Sequence, residues 1–66
     1  MYGFTKKQLA QKVWVKCYRK TEKMTRGEAL KLYKEGMMYC DGSEQERYAS
    51  IFSQLLDGNK FVSDEI

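Results

Sequence analysis

The sequence predicts one small α+β domain over residues 1–66, mainly helical. Three observations lead there. Two capped stretches, 26–39 and 44–57, carry apolar residues at helical spacing. A run near 12–19, within KVWVKCYRK (12–20), alternates apolar and basic residues. There is no proline, no low-complexity run and no internal repeat, so no linker is marked. The two helices are expected to form an antiparallel αα-hairpin, with a short N-terminal helix, a strand near 12–19 and an extended C-terminal tail packed against it. An all-α three-helix domain is the alternative.

In chain order, Phe4-Thr5-Lys6-Lys7-Gln8-Leu9 predicts a helix start. Thr5 is the N-cap, Gln8 closes a capping box, and Phe4 staples onto Leu9. Continued as a helix, the segment would place Leu9, Ala10, Val13, Trp14, Cys17 and Tyr18 on one broad face and leave Val15 misplaced. Broken near Gln11, it would begin a strand instead. Val13, Val15 and Cys17 would then point one way, and Lys12, Trp14, Lys16, Tyr18 and Lys20 the other. The β-branched and aromatic content of the run favours the strand. Thr21-Glu22-Lys23-Met24 reads as a connection.

Thr25-Arg26-Gly27-Glu28 repeats the capping-box pattern and opens the second helix, whose apolar face is Ala29, Leu30, Tyr33, Met37 and Met38. Gly27 and Gly36 weaken it, each by up to about 1 kcal/mol relative to alanine. In the next helix Ser43 stands as N-cap with Glu46 three residues on, followed by Tyr48, Ile51, Phe52, Leu55 and Leu56. Asp57-Gly58 ends it. Phe61 and Val62 are adjacent, so an extended tail would bury one of them beside the strand, unless it folds back to cap the helix end.

Size and charge narrow the function. A chain this short buries roughly 60% of its unfolded surface and gains from a partner, a metal or a disulfide. With no histidine and two cysteines far apart, Cys17 and Cys40, neither a metal nor a cofactor is expected. No apolar leader or membrane span is evident, so reduced thiols in a cytoplasm are expected. The net charge of +3 hides an asymmetry. Residues 1–34 hold ten Lys or Arg against Glu22 and Glu28, whereas residues 35–66 hold Arg47 and Lys60 against seven acids. Either the basic half meets an anionic partner, or the halves neutralise each other across the fold.

Catalysis is not expected. The commonest general base is missing, and Glu44 and Glu46 fit a helix N-terminus as dipole-matched acids. Cys17 and Cys40 would be reactive only with a lowered pKa. Two binding surfaces remain. Lys12, Trp14, Lys16, Tyr18 and Lys20, as one strand face, would set cations for phosphates beside flat rings for unpaired bases, unless Trp14 and Tyr18 pack on the helical hairpin and the lysines are merely solvated. Lys6, Lys7, Arg19, Lys23 and Arg26 would enlarge it. Tyr33, Met37, Met38 and Tyr39, with Arg47, would supply an adaptable protein interface.

From Met24 onward the chain resembles small uncharacterised proteins encoded in prophages and mobile elements of Gram-positive bacteria. The residues that carry this are Met24-Thr25-Arg26-Gly27-Glu28-Ala29, Gly42-Ser43-Glu44-Gln45-Glu46-Arg47-Tyr48, Leu56-Asp57-Gly58 and Ser63-Asp64-Glu65. The resemblance implies a bacterial cytoplasm and a role in phage or host control, with no catalytic residues. TKKQLAQKV separately resembles the opening of a phage-repressor helix-turn-helix, but the match stops at Trp14, where that motif wants a glycine turn. The expectation is therefore a non-enzymatic accessory protein that binds a host or defence protein, or itself as a homodimer. Nucleic-acid binding through the basic half is the alternative; no membrane or small-molecule partner is evident.

Overall fold

The computed structural model describes residues 2–64. Met1, Glu65 and Ile66 lie outside the described residues, Glu65 being the last position of the Ser63-Asp64-Glu65 motif. The elements are α1 (Lys6–Leu9), β1 (Lys12–Cys17), β2 (Lys20–Thr25), α2 (Arg26–Tyr39), α3 (Gly42–Leu56) and β3 (Phe61–Ser63). The strands form one sheet in the order β2-β1-β3, with β1 antiparallel to β2 and parallel to β3. The fold is α+β, and the sheet excludes the all-helical alternative.

The Thr5 capping box forms. The Gln8 N–H donates to the Thr5 hydroxyl at 3.2 Å, and the Thr5 N–H to the Gln8 carboxamide oxygen at 2.8 Å. α1 ends within about a turn because the alternation that follows belongs to β1, where Val13 and Val15 are buried. That strand stops at Cys17, short of the expected 19. Thr21-Glu22-Lys23-Met24, expected to be a connection, lies inside β2. The turn that makes a hairpin of β1 and β2 is Tyr18-Arg19, with φ of 53° and 67°. Such two-residue turns need left-handed backbone and ordinarily carry Asn-Gly, so this pair gives no turn signal.

α2 begins where Thr25 caps it, its hydroxyl accepting the Glu28 N–H at 3.2 Å. α3 starts earlier than expected. Asp41, not Ser43, is the N-cap, without a side-chain cap hydrogen bond. Gly42 turns the chain at φ 64°, which brings Ser43 into the first helical turn. The two helices are joined instead by Gln45, whose carboxamide donates to the Met37 carbonyl at 3.0 Å. Tyr48 packs on Tyr33 and over Gly36, where an added Cβ would come within 2.8 Å of the ring. Glycine at 36 costs helix propensity and permits that approach.

Val13, Val15 and Val62 from the sheet meet Ala29, Leu30, Tyr33, Ile51 and Leu55 from the helices in one core. β3 resolves the adjacent pair as alternation requires: Val62 is 3% exposed and Phe61 73%. Backbone bonds from Trp14 N–H to Lys60 C=O (2.7 Å) and from Asp64 N–H to Lys16 C=O (3.0 Å) seat the strand. The Gln54 carboxamide donates to the Ser63 carbonyl at 2.7 Å and accepts the Ser63 N–H at 3.1 Å. A helix side chain thus covers part of a strand edge that would otherwise be open to pairing.

Arg26, expected on the basic surface, is buried, with 1% of its surface exposed. Its guanidinium donates to the Leu55 carbonyl at 2.7 Å and the Gly58 carbonyl at 3.1 Å, and the Phe4 ring lies 5.3 Å away. It closes the C-terminus of α3, where unpaired carbonyls and the helix dipole favour a cation. Charge-assisted bonds of this kind are worth about 1.5–3 kcal/mol each. Arg26→Ala is accordingly expected to lower unfolding stability by about 2–4 kcal/mol. Arg26→Lys, which cannot fork between two carbonyls, is expected to fall between. Urea titration followed by circular dichroism checks both.

Candidate functional site

The sheet has two unlike faces. Residues paired across strands share a face, so Val13, Val15 and Val62 define the one packed on the helices. The opposite face carries Lys12, Trp14 and Lys16 from β1, Thr21, Lys23 and Thr25 from β2, and Phe61 and Ser63 from β3. None of these residues is acidic. Glu22, the acid of β2, pairs with Val15 and so belongs to the other face.

In the middle of the outer face Trp14 lies flat against Phe61, ring centroids 5.0 Å apart and planes 13° from parallel. The Lys23 ammonium stands 5.3 Å from the Trp14 ring centroid, a cation–π distance. Trp14 is only partly buried and is outside the core. Of the five residues expected on this face, Lys12, Trp14 and Lys16 are there. Tyr18 and Lys20 are not, because alternation along one strand ends at the Tyr18-Arg19 turn. Tyr18 occupies the turn, and Lys20 pairs with Cys17 on the helix-facing side. Phe61 and Lys23 take their place. Lys23 is expected to enlarge the basic surface and Phe61 to lie beside the strand, but their place against Trp14 follows only from cross-strand register.

A second constellation holds the end of β3. The Asp64 side chain is 2% exposed, and its carboxylate accepts from Arg47 at 2.6 Å and from the Tyr18 N–H at 2.9 Å. The Arg47 guanidinium lies 4.6 Å from the Tyr18 ring centroid. Arg47, expected at a protein interface, is therefore engaged within the fold. So is Tyr33, which is 6% exposed in the core. Met37 is partly buried, whereas Met38 and Tyr39 are 66% and 84% exposed.

Beside this clasp a cavity of ≈ 320 Å³ opens, with Cys17, Tyr18, Tyr33, Cys40 and Tyr48 among its walls. Both cysteines are free thiols. Burial, then the neighbouring Asp64, pushes the Cys17 thiol up, and desolvation, then Glu44, does the same for Cys40. Activation of a cysteine nucleophile requires a shift in the opposite direction. Burial likewise raises Tyr33 and Tyr48. Among the described residues no group of three or more His, Cys, Asp or Glu could hold a metal ion, and no helix is long and apolar enough to cross a membrane.

With this geometry the chain was compared with family models, curated proteins and solved structures. It matches none of them.

The clasp has a pH signature. The Tyr18 N–H, and then Arg47, hold the Asp64 carboxyl below its ordinary value of 3.8 despite its burial. A carboxyl lowered in the folded state stabilises the fold fully above its unfolded-state value, and this contribution is lost as pH falls through the folded-state value. Asp64→Asn removes the titration. Urea midpoints measured from about pH 6 down to pH 2 are expected to fall more steeply for the parent chain than for the variant, and the two curves to converge in acid.

Proposed function

We propose that this is a non-enzymatic binding protein whose open sheet face takes single-stranded nucleic acid. The observation that carries the reading is the composition of that face: Lys12, Lys23 and a stacked Trp14–Phe61 pair, with no acidic residue contributed by the three strands among the described residues. Lysines there would meet phosphates, and aromatic surface would meet unpaired bases. In this reading α2 and α3 act as an antiparallel hairpin scaffold that backs the sheet. The resemblance to prophage and mobile-element proteins supports a bacterial cytoplasm as the setting, and phage or host control as the role.

Fluorescence anisotropy with labelled single-stranded DNA and RNA tests it. Affinity is expected to fall linearly with the logarithm of salt concentration, plotted on a logarithmic scale. The Lys12→Gln/Lys23→Gln double variant is expected to flatten that slope by about 0.7 for each phosphate it no longer neutralises. Absence of binding even at low salt would end the proposal.

A second reading, association with a protein partner or with itself, is favoured by one observation. Leu32, Met38 and Tyr39 leave apolar surface exposed along α2, at 52%, 66% and 84%. Such exposure marks interfaces when it is contiguous. Light scattering is expected to show a dimer that Met38→Glu/Tyr39→Glu dissociates, or a pull-down from bacterial lysate to capture a partner that the same variant loses. A stable monomer without a partner would count against this reading.

A further inference from the structure

We infer that Phe61, and not Trp14, is the surface on which an unpaired base stacks, with Trp14 a positioning residue behind it. The inference rests on the single-strand reading above and sharpens it to one nucleotide position. Trp14 is the more obvious choice, being the chain's one tryptophan and its largest aromatic. Its ring is already engaged by two neighbours. Phe61 lies parallel to it at 5.0 Å, and the Lys23 ammonium approaches at 5.3 Å. These two neighbours come from β3 and β2, the strands on either side of β1, and both pair with Trp14 in register. A base could reach a face of Trp14 only by displacing one of them.

Phe61 is placed differently. It belongs to an edge strand, is 73% exposed, and has Trp14 against one face. With β1 on one side of β3 and no strand of the sheet on the other, the face of Phe61 turned from Trp14 is the one we assign to a ligand. A base laid there would extend an existing column in the order base, Phe61, Trp14, Lys23. The column is held from behind, so the platform is largely ordered before the ligand arrives, which reduces the entropy that binding must overcome. Stacking on a phenyl ring does not select among bases, because every base has a π-face. The ligand is accordingly an unpaired nucleotide of any sequence within a single strand.

Two probes separate this from the general reading: an oligothymidylate and an abasic oligomer of equal length and charge. Phe61→Leu removes the ring but keeps apolar bulk, and is expected to weaken oligothymidylate binding about tenfold while leaving abasic binding unchanged. Phe61→Tyr is expected to retain the parent affinity. Trp14→Phe keeps a flat ring behind Phe61 and is expected to bind within about threefold of the parent, whereas Trp14→Leu weakens binding further. Circular dichroism and urea titration establish that each variant folds.

Equal binding of oligothymidylate by Phe61→Leu and the parent would overturn the inference while leaving single-strand binding in place. Equal weakening on both probes would also overturn it, since Phe61 would then act only by seating β3. No binding of either probe by the parent at low salt would overturn the inference and the reading beneath it together.

Discussion

The fold depends on the buried Arg26 guanidinium, which holds the end of α3 where Gly58 turns the chain at φ 90°. From the first residue of α2 it holds the carbonyl of Leu55, in the last turn of α3, and the carbonyl of Gly58 beyond it. The Arg26 N–H meanwhile donates to the Gln11 carbonyl at 2.9 Å, just before β1. One residue therefore fixes the start of β1, the start of α2 and the end of α3 relative to one another. Between Gly58 and Phe61 lie two residues, too few to absorb an error in position. Where α3 ends is thus where β3 must enter the sheet, and Phe61 comes to lie beside Trp14 as a result.

The other end of β3 is held by a charge of opposite sign. Asp64 reaches the Tyr18 N–H in the hairpin turn and Arg47 on α3, so three elements meet at its carboxylate. A three-residue strand has too few ladder bonds to stay docked by pairing alone. Its permanence comes from two buried charged groups, one at each end, and from the Gln54 carboxamide between them. Both charges are expensive to desolvate, and the hydrogen bonds to them offset that only while the geometry holds. In a chain that buries so little apolar surface, such polar fastenings carry a larger share of the specificity than in a larger domain.

What can be read from the sequence follows from which interactions are local. The Thr5 box, the Thr25 cap, the span of α2 and the inward alternation of Val13 and Val15 depend on neighbours within about four residues, and each appears as expected. Ser43 fails as an N-cap although its pattern is good, because a two-residue connection between helices forces the turn onto Gly42. β2 escapes the sequence because Tyr18 and Arg19 adopt a left-handed pair that neither residue type favours. Without that turn Lys20 falls on the wrong face, and Lys23 reads as part of a connection at the margin of the basic surface. Arg26 reads as basic surface and Arg47 as part of an interface, since nothing local identifies an arginine whose acceptors lie 17 to 32 residues away. Arg is the type better suited to that role, because its planar fork can meet two acceptors at once.

The charge asymmetry between the halves of the chain now has a location. Mutual neutralisation would require the cations of the first half to face the acids of the second. Yet Arg47 and Asp64, a pair that the fold holds together, both come from the acidic half. Lys12 and Lys23, from the basic half, stand on a sheet face to which no acidic residue of the three strands contributes. The helices pack on the other side, where Val15 and Val62 need them. Apolar burial thus leaves one face of the sheet uncovered by the helices, and cross-strand register sets Lys12 and Lys23 there around an aromatic column. Clustered like charges cost the free protein some repulsion, and an anionic ligand reverses the sign of that cost.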